Sequence, residues 1–452
     1  MLRYQSVIGV LFTLFYCTSC TSTTPLPPYL AYQRALQAYQ HGDYQSAIQQ
    51  LKPLADNGLA DAQQLLGTMY QLGNGVASND ETAVEWYLKA AAQGDDNALI
   101  SIGSMYKFSH VPTTQHQQTL ATLQHAAEQG SAYAQNLLGW IYLEGRGVAS
   151  DPKQGVQWLQ LAAAQGYGKA QYNLGLAYEL GEGITPNKQQ AFYWYFTAAN
   201  NNFTAAQELL AERYEIGDGI EKDEEKAREW YKKALEHSSL VALNWYTTSA
   251  NLGDADAEYM LGKQYQTGKL FQKDDIKALN WLMKSALQGN AQAENAIGEL
   301  YCMGHGATKD YQQAAVWFKK AAEHGVASAQ YRLGNYYRNG TGVARNYQLA
   351  ATYYQQAAQQ GHVYAQVALG LLYHYGDGVK RNDSKAVEWF TKAAKQGDAV
   401  GQNNLAAAYE LGLGISQDHQ QALYWYQQAA NQGYRPAQQQ LAHLTEQPSN
   451  EQ

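Results

Sequence analysis

The stretch that decides the fold is AQNLLGWIYLEGRGV, residues 134–148. Ala134, Leu138 and Tyr142 lie four residues apart, so they share one face of a predicted α-helix. The two glycines near the end of the stretch favour a tight turn, because glycine adopts positive φ without steric cost. A helix with one apolar face needs a partner to cover it, so the stretch predicts the first half of a helix-turn-helix unit.

The same pattern recurs every thirty-six positions, with a Leu-Gly pair or a close variant at its centre. The pairs are Leu66-Gly67, Ile102-Gly103, Leu138-Gly139, Leu174-Gly175, Leu210-Ala211, Leu261-Gly262, Ile297-Gly298, Leu333-Gly334, Leu369-Gly370, Leu405-Ala406 and Leu441-Ala442. A fixed period of this size is typical of a stacked array of small units and not of a compact globule. We therefore predict an all-α fold of about eleven units.

The second helix of each unit has two repeated signals of its own. An aspartate or asparagine stands where that helix should begin, at Asn79, Asp151, Asn187, Asp223, Asp274, Asp310, Asn346, Asn382 and Asp418. These side chains accept hydrogen bonds from the first free N–H groups of a helix. A large ring follows at Trp86, Trp158, Trp194, Trp230, Trp281, Trp317, Tyr353, Trp389 and Trp425. One ring per unit at a fixed position predicts packing between neighbouring helices.

The complete pattern resembles the Sel-one-like repeat family, whose members are longer-looped relatives of tetratricopeptide repeats. The resemblance rests on A-x-x-x-L-G-x-x-Y-x-x-G-x-G-V at residues 134–148 and W-x-x-x-A-A-x-x-G at residues 158–166. It covers roughly residues 60–446, whereas the first unit, around Gly42-Asp43-Tyr44, is shorter and resembles a plain tetratricopeptide repeat. The resemblance implies a right-handed α-solenoid with a concave groove that binds partners.

Two irregularities interrupt the period. In the second unit, residues 108–116 (FSHVPTTQH) replace the glycine loop, which predicts a looser unit that either reflects drift or forms a contact site. Later, 224–237 and 240–251 both have the pattern of second helices, with no first helix between them.

We therefore divide the repeat region into two predicted subarrays. The first comprises residues 31–238 and the second residues 239–446, and residues 447–452 form a tail.

The beginning of the chain resembles an export signal. Residues 1–19 contain Arg3 and the apolar stretch VIGVLFTLFY, which is too short to span a bilayer. The small residues before Cys20 resemble the lipobox of bacterial lipoproteins, although an ordinary signal peptide is the alternative. The resemblance implies lipidation of Cys20, a tether over residues 20–30, and sorting to the outer membrane because Thr21 follows. We expect an outer-membrane lipoprotein that faces the periplasm.

Composition and motifs exclude several classes of function. The net charge is −8 without a basic run, so nucleic-acid binding is not expected, and the membrane is reached through the lipid anchor only. The sequence lacks a P-loop, a GxSxG elbow, an HExxH motif and Cys-pair metal spacing, so we predict no enzymatic activity, cofactor or metal. Cys302 and His305 form a C-x-x-H, which we interpret as an exposed cysteine and a loop histidine and not as half of a metal site.

A second stripe on the first helices varies from unit to unit, and aromatic and arginine residues in such a stripe favour partner binding. The candidate binding residues are Tyr133, Trp140, Leu143, Tyr172, Leu176, Glu208, Glu212, Tyr331, Arg338, Tyr364, Leu371 and His374. Contact with the neighbouring helix is the alternative role for each of them. We predict a non-catalytic scaffold that binds extended segments of envelope proteins. The alternatives are a surface-exposed factor that contacts host or other cells, and a hydrolase of cell-wall or β-lactam substrates.

Overall fold

The structure is a computed structural model that describes residues 27–446. The predicted signal peptide, Cys20 and the tail at 447–452 lie outside the described residues. The predicted tether ended at residue 30, but the first helix begins at Pro28. Proline is favoured at the first helical position, because its fixed φ suits the helix and its missing N–H has no helical partner there.

The described residues form twenty-four α-helices, one short 3₁₀ helix at Thr113–Gln115 and no strands. The α-helices are α1 (Pro28–Gln40), α2 (Tyr44–Asp56), α3 (Ala60–Leu72), α4 (Asp80–Ala91), α5 (Asp96–Lys107), α6 (His116–Glu128), α7 (Ala132–Glu144), α8 (Pro152–Ala164), α9 (Gly168–Leu180), α10 (Lys188–Asn200), α11 (Thr204–Ile216), α12 (Glu224–Glu236), α13 (Leu240–Asn251), α14 (Ala255–Thr267), α15 (Asp275–Leu287), α16 (Ala291–Met303), α17 (Tyr311–Glu323), α18 (Ala327–Asn339), α19 (Tyr347–Gln359), α20 (Val363–Tyr375), α21 (Asp383–Lys395), α22 (Ala399–Leu411), α23 (His419–Asn431) and α24 (Arg435–Glu446). The prediction of an all-α repeat array is confirmed.

The chain divides into two compact units, Met1–Trp230 and Tyr231–Gln452. Within each unit, buried side chains form a series of small clusters, each shared by a few consecutive helices. The boundary lies inside α12, and α12 and α13 follow each other with only three residues between them, as the sequence predicted. The two subarrays inferred from the repeat pattern, residues 31–238 and 239–446, stay a prediction. In residues 27–446, no helix combines the length and the apolar character that a membrane span requires.

The predicted caps are present at the start of every second helix that has one. The side chain of each residue accepts a hydrogen bond from a backbone N–H two or three positions ahead, at Asn79, Asp151, Asn187, Asp223, Asp274, Asp310, Asn346, Asn382 and Asp418. A cap of this kind contributes about 1 kcal/mol to helix stability. The cap slot therefore fixes where each second helix begins.

The predicted rings are buried or half-buried between helices, and the residue after each of them lies deeper still or equally deep. In seven of the second helices this next residue faces the glycine of the first helix. Tyr354 is fully buried, and a Cβ added to Gly334 would lie 2.6 Å from its ring. The same relation joins Gly298 with Phe318, and Gly175 with Tyr195. The Leu-Gly pair is thus explained, because glycine lets a large ring lie against the helix backbone.

A buried glutamine near the start of several first helices ties three helices together. The Gln366 amide nitrogen donates to the Ala358 carbonyl, and its amide oxygen accepts from Gln396 at 2.9 Å. The same pair of bonds is made by Gln63, Gln135, Gln171, Gln330 and Gln402. Glutamate occupies this position twice: Glu258 accepts from Gln288, and Glu294 contacts His324. We call this series the glutamine ladder.

In the irregular second repeat, formed by α5 and α6, the two helices lie further apart and residues of the connecting loop complete the core. Without a glycine loop, α5 and α6 approach each other less closely than the helices of the other intact pairs described, and α5 also packs against α7. Val111 from the connecting loop is buried in the same core cluster, and the ring of His116 stacks on Tyr106 at 5.6 Å. The Gln115 side chain donates to the Glu81 carbonyl, which fixes the loop to α4. The expected looseness is therefore confined to the spacing of the two helices.

Candidate functional site

Two of the predicted binding residues lie together in a cavity of the first unit. Tyr133 and Trp140 on α7 face Lys107 on α5 and Lys169 on α9 across a space of about 240 Å³. Its walls are Gly103, Lys107, Tyr133, Asn136, Leu137, Trp140, Lys169 and Asn173. We call this site the Trp140 pocket. Residues of three successive first helices line it, so the pocket extends across the predicted stripe from one repeat to the next.

Aromatic and amide groups give the Trp140 pocket a fixed frame. The Arg146 guanidinium lies over the Trp140 ring at 4.8 Å, and its Nη1 donates to the Lys107 carbonyl at 3.5 Å. On the floor, Asn173 Nδ2 donates to Asn136 Oδ1 at 2.9 Å. The Tyr133 hydroxyl lies so close to Gly103 that a Cβ there would be 2.3 Å away. A residue larger than glycine at this position would push Tyr133 into the pocket.

The electrostatics of the Trp140 pocket are those of a donor-rich site. Neither Lys107, Lys169 nor Arg146 forms an ion pair with a carboxylate in residues 27–446. Burial, with a smaller contribution from the Tyr167 phenol, raises the pKa of Tyr133 to about 12. Its hydroxyl therefore keeps its proton at neutral pH. The pocket presents cations and N–H or O–H donors but no carboxylate.

The other residues of the same predicted patch are not part of the pocket. Leu143 packs against the core cluster of α8 and α9. Tyr172 contacts the rings of Tyr195 and Phe203, each at 5.5 Å between centroids, and Leu176 is half-buried. For Leu143 and Tyr172, the structure therefore shows the helix-contact role that the sequence left open as the alternative.

The predicted acidic residues lie beside a structural ion pair. Glu208 is half-buried and Glu212 is exposed, both on α11. On the same helix, Arg213 Nη2 donates to both carboxylate oxygens of Glu179, at 2.7 and 2.9 Å, and the Tyr195 hydroxyl donates to Glu179 at 2.6 Å. Burial raises the pKa of Glu179, but the hydrogen bonds from Tyr195 and Arg213 outweigh it and hold the pKa below its ordinary value. This cluster ties α9, α10 and α11 together.

The second aromatic area lies in the second unit. Tyr331 stacks on His362 at 4.7 Å and lies 6.1 Å from Tyr364, which is 61% exposed. The Arg338 Nε donates to its neighbour Asn339 at 3.3 Å, which leaves Arg338 apart from that stack.

Two further predicted residues of this area make contacts within the protein. Leu371 packs against the core cluster of α21 and α22. His374 contacts the Asp383 carboxylate at 2.7 Å. Only Tyr331 and Tyr364 are therefore brought together here.

Cys302 is half-buried and not exposed, contrary to the prediction for its slot. It packs against the cluster of α17 and α18 because the neighbouring Tyr336 leans over it. Burial and the Cys302 thiol raise the pKa of Tyr336. Within the described part of the chain, no group of three or more His, Cys, Asp and Glu side chains has the arrangement of a metal site.

Sequence reasoning did not find Lys107, Lys169 and Asn173. A signal for the two lysines was present, since they occupy the same stripe positions on α5 and α9 that Leu143 and Tyr133 occupy on α7. Extending the stripe across neighbouring units would have placed the lysines beside Trp140.

The family model described as Sel1 repeat matches residues 60–95, 132–167, 168–203, 204–239, 240–254, 255–290, 291–326, 327–362, 363–398 and 399–434. The chain belongs to the Sel1 repeat family. The matched segments leave out α1 and α2, and they leave out the irregular unit of α5 and α6. The short segment 240–254 corresponds to α13, the second helix without a first.

Solved structures of Sel1 repeat proteins resemble the chain along much of its length. It is 32% identical to c5321, a protective antigen of uropathogenic Escherichia coli with this repeat fold, over 88% of this chain and 90% of that one, with a TM-score of 0.44. A Sel1 repeat protein of Oxalobacter formigenes is 29% identical over 72% of this chain and 90% of its own, with a TM-score of 0.42. A comparison with curated protein sequences gives no match.

Proposed function

We propose that this Sel1 repeat protein is a non-catalytic scaffold that binds extended segments of other envelope proteins on its first helices. The observation behind the proposal is the Trp140 pocket. It places a tryptophan, a tyrosine and unpaired polar groups at one accessible site. Tryptophan, tyrosine and arginine are the residues that contribute most to protein–protein affinity.

The size of the pocket favours a peptide side chain as its occupant. Sites for small-molecule ligands commonly enclose about 300–1,000 Å³. The Trp140 pocket encloses about 240 Å³, which suits one or two side chains of a bound segment. The rest of such a segment would lie across the adjoining first helices.

The scaffold presents this pocket with little ordering cost. The ladder bonds of Gln135 and Gln171 fix α7 and α9 to the second helices that precede and follow them. The side-chain amides of Asn136 and Asn173 then join α7 directly to α9. A pre-organised surface loses less conformational entropy on binding, so more of the contact energy appears as affinity.

Trp140→Ala should weaken partner binding by roughly 30-fold, the loss expected for a hot-spot tryptophan worth about 2 kcal/mol. The measurement is site-specific photo-crosslinking in cells, with benzoylphenylalanine at exposed Ser104 beside the pocket. Trp281→Ala is the matched control, since Trp281 is half-buried in the other unit. Discrete adducts that persist unchanged in Trp140→Ala would count against the proposal.

We further propose that the scaffold is lipidated at Cys20 and held at the outer membrane facing the periplasm. The support is the sequence before Cys20 and the threonine after it. Cys20→Ser should move the protein from the membrane to the soluble fraction and abolish labelling with an alkyne fatty acid. Cys302→Ser should leave both unchanged. Digestion by protease added to intact cells would favour surface display, the alternative location.

A further inference from the structure

We infer that the Trp140 pocket binds the carboxylate of an aspartate or glutamate side chain, flanked by an apolar residue, in the partner segment. The inference rests on the proposed function and specifies the chemistry of the partner. Unpaired cations, a free amide donor and an aromatic wall meet in this pocket.

The pocket gathers cations in a protein that carries a net charge of −8. Elsewhere in the described residues, several cations lie against carboxylates, as Arg213 does with Glu179 and Arg332 with Glu299 at 3.0 Å. Lys107 and Lys169 have no such partner, although both line the pocket. The local positive potential therefore favours an anion, and a net negative protein would otherwise repel one.

The pocket also offers an amide donor that the protein leaves unused. Asn136 is 4% exposed and lines the pocket. Its Oδ1 accepts from Asn173, but its Nδ2 makes no hydrogen bond with the described residues. An amide nitrogen carries two donors, so Nδ2 can bond to a ligand in the pocket. A carboxylate oxygen, which only accepts, would satisfy it.

The remaining walls are apolar and set the neighbour of the acidic residue. Leu137 and the Trp140 ring line the pocket, and Arg146 lies over the Trp140 ring. A carboxylate with two acceptor oxygens can reach two lysines and one amide. Arg146 already contacts Trp140 and a backbone carbonyl. It therefore does not supply the free bidentate fork that phosphate recognition prefers.

The test uses the full-length lipoprotein in detergent and fluorescein-labelled nine-residue peptides, followed by fluorescence anisotropy. The first peptide has one aspartate between two phenylalanines and an amidated C-terminus. The second peptide is identical except that asparagine replaces the aspartate. Two further peptides replace the aspartate by phosphoserine, or combine asparagine with a free C-terminal carboxylate. We expect the aspartate peptide to bind at least 10-fold more tightly than the other three.

Charge reversal separates recognition from folding. In Lys107→Glu/Lys169→Glu, the preference for aspartate over asparagine should disappear, and a peptide with lysine at that position should bind best. Lys153→Glu is the matched control, because Lys153 is exposed on α8 of the same unit and does not line the pocket. It should leave the preference within 2-fold of the parent.

The outcomes distinguish this inference from the proposed function. If all peptides bind equally and all are weakened by Trp140→Ala, the scaffold proposal stands and the carboxylate inference is overturned. If the phosphoserine or free-carboxylate peptide binds best, the inferred occupant is wrong. If no peptide binds while crosslinks in cells still depend on Trp140, the carboxylate inference is also overturned. If those crosslinks do not depend on Trp140 either, the proposed function fails with it.

Discussion

Gly378→Ala should destabilise the second compact unit, the one that begins at Tyr231, by about 3 kcal/mol or more, since two penalties add at one position. Gly378 has φ +69°, where an L side chain is strained by about 1–2 kcal/mol. An added Cβ would also lie 2.2 Å from the carbonyl carbon and 2.3 Å from the carbonyl oxygen of Tyr347. Those atoms are backbone at the start of α19, so relief requires a shift of a whole helix, and such overpacking costs about 1–3 kcal/mol.

Gly397→Ala provides the control for the strain alone. Gly397 has φ +88°, but no heavy atom lies within 4 Å of a Cβ built there. We expect it to cost only the conformational penalty of about 1–2 kcal/mol. Repeat arrays need not unfold in a single step, so the measurement is amide hydrogen exchange helix by helix. Gly378→Ala should lower protection in α19, α20 and α21. Equal losses in the two variants would show that the backbone contact has no energetic weight.

The contact tested by Gly378→Ala recurs along the array. A Cβ at the second loop glycine would lie within 2.2 Å of backbone of the preceding unit at Gly183, Gly306, Gly342 and Gly414. At Gly219, by contrast, nothing lies within 4 Å. The loop glycines therefore do more than end a helix. They let the loop of each repeat pack directly against the first turn of the second helix of the preceding repeat.

Sequence reasoning predicted the fold well because its main signals are local and periodic. The Leu138-Gly139 pair and the cap at Asp151 depend on contacts within one unit, so one copy of the pattern is enough to interpret them. Depth within a helix is harder, because neighbouring positions differ by about 100° and both Trp158 and Leu159 lie near the core side. The structure decides for Leu159, which is fully buried.

The candidate site was predicted only in part, because it depends on contacts between units. Tyr133 and Trp140 were found from their position on one helix. Lys107 and Lys169 come from the neighbouring first helices α5 and α9, and α5 packs against α7. A pattern that describes one repeat does not give the spacing between successive repeats. Leu143 lies outside the pocket, because the close approach of α8 to α7 places it against the cluster of α8 and α9.

Gln366→Leu should destabilise the second compact unit by about 1–3 kcal/mol, although it replaces a polar residue by an apolar one in a buried site. The side chain is 3% exposed and bonds to both neighbouring second helices. Leucine would remove both hydrogen bonds, and a bond of this kind contributes about 0.5–1.5 kcal/mol. The Ala358 carbonyl would keep its bond from the Gly361 N–H, and the exposed Gln396 amide could bond to water. Gln356→Leu is the matched control, since Gln356 is exposed on α19, and it should change stability by less than about 0.5 kcal/mol.

A double-mutant cycle with Gln396→Leu separates the loss of this hydrogen bond from the loss of shape. Once Gln366 is leucine, Gln396 has lost its partner in the ladder, so replacing it should cost less than it does in the parent protein. The coupling energy should then be about 0.5–3 kcal/mol, as for residues within one hydrogen-bond network. Hydrogen exchange of α19 and α21 measures both single variants and the pair. Strict additivity would mean that the ladder bond contributes nothing beyond packing, and the interlocking of successive units would have to come from the buried rings and loop glycines alone.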